Sequence, residues 1–183
     1  MRLSVFNVAN QRVVLEQLRE LTLRSTVHPL VTTAARQITA LCESRDDECE
    51  LEAVYEAVKS GTDRVPELRR GLRYVADPHW ADHFTAPYRL LMQCQKGACA
   101  GDCDDHSMLV AALLGSIGFR TGLRAWGPKK GEYIHVYAVA KTPKKRSSEV
   151  VGLDTTVPEA YVGWEPPHGY TLTAWLDGDE DDE

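Results

Sequence analysis

From Met108 to Ile117 the chain is apolar on more than one face: Leu109, Ala112, Leu113 and Ile117 make one helical stripe, and Val110 and Leu114 lie beside it. A helix of that kind has no face to offer water, so other elements must wrap it on all sides. A chain of 183 residues has material for one such core and little more. The remaining sequence is therefore read as cover for a central helix.

The cover changes character along the chain. Before the central helix the periodicity is helical. Val14, Leu18 and Leu21 keep one face, and a second stripe of Leu30, Val31, Ala34, Ala35, Ile38, Leu41 and Cys42 follows Pro29, a residue suited to a first helical turn. Asp47, with Glu50 three residues later, predicts the start of a third helix carrying Leu51, Val54, Tyr55 and Val58 and ending at Ser60-Gly61. A shorter helical piece is expected from Pro66 toward Tyr74, and residues 77–88, with His79, Trp80, His83 and Phe84, read as a site-lining loop.

After Gly118 the β-branched and aromatic residues of strands take over at Arg120–Trp126, Glu132–Lys141 and Glu149–Thr156, broken by basic turns at 127–131 and 142–146. Helices first and strands afterwards predict an α+β fold with an antiparallel sheet. The expected organisation is a helical extension over 1–45, a main domain over 46–170 and an acidic C-terminal tail over 171–183.

The central helix begins with Gly101-Asp102-Cys103-Asp104-Asp105-His106. Asp102 is placed to cap it, which puts Cys103 at the first helical position, where backbone N–H groups lack intrahelical partners. The helix dipole would favour a thiolate there, while Asp104 and Asp105 disfavour it, so a cationic partner is needed. His135, on a predicted strand, can exchange a proton with the thiol, and Asp154, at the end of an otherwise apolar strand, can hold the imidazole. A hairpin would set these two side by side. In order they form a nucleophile, a base and an orienting carboxylate, the set that thiol acyl transfer requires.

Gly101-Asp102-Cys103-Asp104-Asp105 with Leu113-Leu114-Gly115, then His135-Val136-Tyr137, then Leu153-Asp154-Thr155-Thr156, resembles the microbial transglutaminase-like superfamily. The resemblance covers roughly residues 51–166 and implies a papain-like fold in which a cysteine-bearing helix packs on an antiparallel sheet. It also implies that Cys103 is the nucleophile, His135 the base and acid, and Asp154 the orienting carboxylate of an enzyme acting on amide bonds through an acyl-thioester, with peptidase or amidase action favoured over amine cross-linking. No cofactor is implied, and the substrate would be a protein or peptide. The family uses an upstream side chain to help bind the oxyanion, for which Trp80 and Gln93 are the candidates. Val162-Gly163-Trp164-Glu165-Pro166-Pro167 resembles segments of phage-encoded relatives, which raises a second role as a non-enzymatic structural or adaptor protein of a phage particle, with phage structural proteins as partners.

A third reading is a zinc-binding module using Cys94, Cys99, Cys103 and His106. The absence of paired Cys-x2-Cys spacing argues against it. Asp177–Glu183 holds six of the 27 acidic residues, leaving 21 acids against 21 bases, so the body is near neutral and the acidic end reads as a solvated tail. The exposed lysines of the turns lack interleaved stacking aromatics, which disfavours nucleic acid. No run of about 18 apolar residues suggests a membrane span. Residues 1–7 do not look like an export signal, and five cysteines, an odd number, leave at least one unpaired and suggest a reducing compartment, with Cys94 and Cys99 read as incidental thiols or a redox-sensitive pair. The expected location is the bacterial cytoplasm, or the virion if the protein is phage-encoded.

Overall fold

The computed structural model describes residues 8–76, 84–144, 149–178 and 180–182, with side chains placed between residues 11 and 178 of those spans. Its order is α1 (Val8–Thr26), α2 (Pro29–Ile38), α3 (Asp47–Lys59), β1 (Arg73–Tyr74), α4 (Pro87–Gln95), β2 (Ala100–Gly101), α5 (Cys103–Ser116), β3 (Arg120–Gly127), β4 (His135–Thr142), β5 (Glu149–Leu153), β6 (Tyr170–Trp175) and β7 (Glu180–Asp182). The α+β class holds.

Helix α5 is the centre that its composition demands: every residue from Met108 to Leu114 is fully buried. Helices α1 to α4 surround one side and strands β3 and β4 the other. At about 1.5–3 kcal/mol for each large aliphatic side chain removed from water, this helix and its contacts dominate the hydrophobic stabilisation. The five-stranded sheet runs β5-β4-β3-β6-β7, with antiparallel pairing throughout. Leu123, Val136, Ala138, Leu172 and Ala174 lie on the helical side of the sheet and join the main core. Tyr137, Val139 and Trp175, with Trp126 beside them, form a small cluster on the opposite face. There the Glu165 carboxylate receives Arg124 Nη1 at 3.0 Å and the Tyr137 hydroxyl.

Several boundaries differ from the sequence expectation. Leu15, Leu18, Val31, Ala34 and Ile38 share one continuous core with Leu51, Leu109 and Leu123, so α1 and α2 are integral cover for α5. At the other end, β6 pairs with β3 and buries Leu172, Ala174 and Trp175, so the segment 171–183 begins inside the sheet, and β7 continues the pairing. Alternation of Tyr170-Thr171-Leu172-Thr173-Ala174-Trp175 was the available strand signal, obscured by the acidic residues that follow. Helix α2 stops at Ile38 instead of running to Cys42, leaving Leu41 exposed. The cap of α3 is Asp46, whose carboxylate accepts the Cys49 N–H at 3.0 Å; Asp47 accepts from Lys144 N at 2.7 Å. The helix expected from Pro66 to Tyr74 shrinks to one 3-10 turn at Pro66–Leu68, because the chain must reverse at Gly71 (φ 67°) to enter β1.

The cysteine reading is also narrowed. Cys42–Cys49 and Cys94–Cys99 are disulfides, and Cys103 is the free cysteine. No helix among the described residues is long and apolar enough to cross a membrane.

Candidate functional site

Strand β2 ends at Gly101 and hands the chain to Asp102, whose extended backbone and carboxylate open α5: Oδ1 accepts from Asp104 N at 3.0 Å and Asp105 N at 3.4 Å. Cys103 is thereby the first residue of the helix. Asp105 turns the other way and accepts the Thr85 N–H at 2.9 Å, tying the start of α5 to the segment before α4. Gly101 is required at this junction, since a Cβ there would lie 2.4 Å from Asp105 Cβ.

His135 is the first residue of β4, and Asp154 follows the last residue of β5; the register that pairs Ala138 with Leu153 brings them together. Asp154 Oδ2 lies 2.6 Å from His135 Nε2. Its Oδ1 is saturated separately by Thr156 N (2.9 Å), Thr156 Oγ1 (2.7 Å) and Val157 N (3.3 Å). From α3, Tyr55 Oη donates to the main-chain oxygens of Asp154 (3.0 Å) and Ala160 (2.7 Å), bracing the turn. The Asp154 side chain is 1% exposed. Burial by itself would raise its pKa, but the hydrogen bond and charge of His135 and the Thr156 donors outweigh burial and hold the carboxyl below its ordinary range.

Cys103 and His135 line one cavity of about 260 Å³, so the structure brings the thiol and the imidazole to a common space, with Asp154 held on the imidazole outside the cavity lining. With Nε2 directed at Asp154, Nδ1 is the ring nitrogen left to serve a thiol. The thiol itself is strongly disfavoured as an anion. Burial first, then Asp104 and Asp102, push it up to about 12, against opposing hydrogen bonds from the main chain of Val136 and Cys103. The helix dipole therefore loses to desolvation and like charge, and the resting cysteine is protonated.

Replacing Asp104 by Asn should remove one of the charges that hold the thiol up. The expected result is an alkylation of Cys103 at pH 8 that is faster by about several-fold, because the gain in thiolate is partly offset by its lower nucleophilicity. Thiolate absorbance at 240 nm is expected to be absent at pH 7 in the wild type. A thiolate band already present at pH 7 would contradict this account.

His106, a ligand candidate in the zinc reading, is buried. Its Nδ1 meets Thr155 Oγ1 at 2.9 Å, and burial pushes its pKa down to about 4, with Asp154 opposing. The ligand set of a zinc site does not assemble, since Cys94 and Cys99 are bonded to each other. Asp102, Cys103 and Asp104 offer donor atoms within 4.8 Å of one another, but Asp102 Oδ1 caps α5. Of the two upstream oxyanion candidates, Gln93 is exposed on α4 away from the cavity, and Trp80 lies outside the described residues, as do His79 and His83.

Two residues near the site escaped the sequence reading. Tyr74 reaches it because β1 pairs in parallel with β2, opposite Gly101, and its ring lies 6.2 Å from that of His106. Gln11 of α1 lines the cavity, bonded to Tyr133. Neither has a local motif; a two-residue strand and a polar position on an amphipathic helix leave no periodic signal.

No family model matches the chain, and neither does any curated protein. Among solved structures, a candidate protease from Parabacteroides distasonis superposes with a TM-score of 0.54 at 12% identity, over 90% of this chain and 30% of the other. The likeness is one of fold, and this chain spans about a third of that protein.

Proposed function

We propose that the protein is a transglutaminase-like cysteine hydrolase that cleaves amide bonds through an acyl-thioester on Cys103. The observation that carries this reading is that His135, held by Asp154 at 2.6 Å, lines the same cavity as Cys103. The likeness in fold to a candidate protease supports it from a separate direction.

In this reading the resting nucleophile is a protonated thiol, and the thiolate forms only as it attacks. His135 Nδ1 takes the thiol proton as Sγ attacks the substrate carbonyl, and Asp154 stabilises the imidazolium that forms. The carbonyl electron pair moves onto oxygen, where the Cys103 N–H, free of an intrahelical partner at the start of α5, can donate to it. Collapse breaks the C–N bond, and His135 returns its proton to the departing amine. Water, deprotonated by His135, then attacks the thioester, releasing a carboxylic acid and restoring the thiol. An amine in place of water would complete cross-linking instead; hydrolysis is the favoured outcome for a domain of this size.

The test compares wild type with Cys103→Ala on denatured casein and on a glutamine peptide with a fluorescent amine donor. Release of peptides or ammonia by wild type and its loss in the variant, by at least about 10³-fold, is the expected result. Iodoacetamide followed by mass spectrometry of the non-reduced protein should label Cys103 and spare the other four cysteines. Equal activity of the two proteins, or preferential labelling of Cys42 or Cys49, would sink the reading.

A further inference from the structure

Gln11 reaches from α1 across the cavity, and its carboxamide engages both main-chain groups of one residue: Nε2 donates to Tyr133 O at 2.9 Å, and Tyr133 N donates to Oε1 at 3.3 Å. One donor and one acceptor meeting the N–H and C=O of a single residue is what a neighbouring strand supplies in an antiparallel ladder. Tyr133 precedes β4 by two residues. The next N–H, that of Ile134, donates to Trp126 O at 2.9 Å on the β3 side, so the main chain of Tyr133 is turned the other way, toward α1 and the cavity. This ribbon is held firmly: a Cβ on Gly127 would lie 1.9 Å from Glu132 O, so the two strand ends are in main-chain contact.

We propose that the N–H and C=O of Tyr133 are the docking edge for an extended peptide substrate bearing an apolar side chain, and that Gln11 occupies that edge until the substrate displaces it. The inference rests on the hydrolase reading for its substrate. Tyr133 and His135 are two residues apart, about 6–7 Å along a strand, so a peptide paired at Tyr133 runs directly past His135 and Cys103. Val14, Leu15, Leu18 and Phe84 supply an apolar wall, and about 260 Å³ admits one large aliphatic or aromatic side chain. The charged groups on the same wall are Asp102 and Asp104, which disfavour an acidic side chain in the substrate.

The experiment measures binding of acetyl-Ala-Leu-Ala-amide by calorimetry to the Cys103→Ala protein and to Cys103→Ala/Gln11→Ala, so that the outcome does not depend on thiol chemistry. Removing the intramolecular competitor should tighten binding by about five- to tenfold, the factor by which an occupied edge lowers apparent affinity. A peptide N-methylated at leucine should lose most of the binding, and an Ala-Glu-Ala analogue should bind more weakly. In the Cys103→Ala protein with Gln11 intact, the Tyr133 amide resonance should shift on peptide addition. Equal or weaker binding after Gln11→Ala, binding that leaves the Tyr133 amide unmoved, or no peptide binding overturns the proposal. Undiminished peptide or ammonia release by the Cys103→Ala protein would instead remove the hydrolase reading, whatever the binding result.

Discussion

Asp154→Asn should cut turnover by about 10³-fold or more while the fold survives. The reason lies in how the two carboxylate oxygens are used. Oδ1 accepts from Thr156 N, Thr156 Oγ1 and Val157 N, and Oδ2 faces His135 Nε2. An asparagine must keep its oxygen toward the three donors, which forces its NH2 group onto the histidine. His135 then has to present a lone pair at Nε2 and carry its proton on Nδ1, where it can no longer accept one from a thiol; a tautomer error of this kind costs about 10⁴ in serine hydrolases. Asp154→Ala should be worse for stability, leaving the donors of the 154–157 turn without their acceptor at about 1–3 kcal/mol for each group that water cannot reach. Steady-state kinetics with thermal unfolding of both variants separates the two effects; full activity in the asparagine variant would exclude the assigned role. Acid sensitivity follows the same geometry. The folded carboxyl binds its proton less tightly than the unfolded one, so its stabilising contribution is complete above the ordinary value of 3.8 and fades as pH falls through the lower folded value. The asparagine variant should lack that dependence.

Gly101→Ala is the second large effect, expected to cost about 2–3 kcal/mol and to lower Tm by about 4–12 °C. The added methyl would lie 2.4 Å from Asp105 Cβ and 2.6 Å from its carboxylate. Neither neighbour can retreat easily: Asp105 is 5% exposed, and its other oxygen holds the Thr85 N–H. Relief has to come from tilting the first turn of α5, which moves Cys103 relative to His135, so activity should fall more than stability alone explains. Differential scanning calorimetry with initial rates measured well below Tm checks this. An alanine variant with unchanged Tm would mean that the junction is looser than its packing indicates.

These two residues also show what could be read before the structure. Gly101 and Asp154 both belong to short blocks whose chemistry is local: a cap, a helix start, and a carboxylate after an apolar strand. The central helix was legible for the same reason, since apolar residues on more than one face dictate full burial at α5. What escaped was set by partners distant in sequence. The strand at Tyr170–Trp175 finds its place through pairing with β3, and Tyr74 is near Cys103 through a two-residue parallel ladder with Ala100–Gly101. The disulfides Cys42–Cys49 and Cys94–Cys99 were not assigned because pairing depends on where the chain folds back. Gln11 looked like one more polar position on a helix, and only the approach of residue 133 gives it meaning.

The five-stranded sheet is open, with β5 and β7 as its outer strands. An outer strand is a template on which a second molecule can add itself, the first step toward aggregation. Strand β7 is three residues long and β5 five, so either edge offers a second molecule only a short template. Brevity at both edges thus limits self-association while leaving the sheet open.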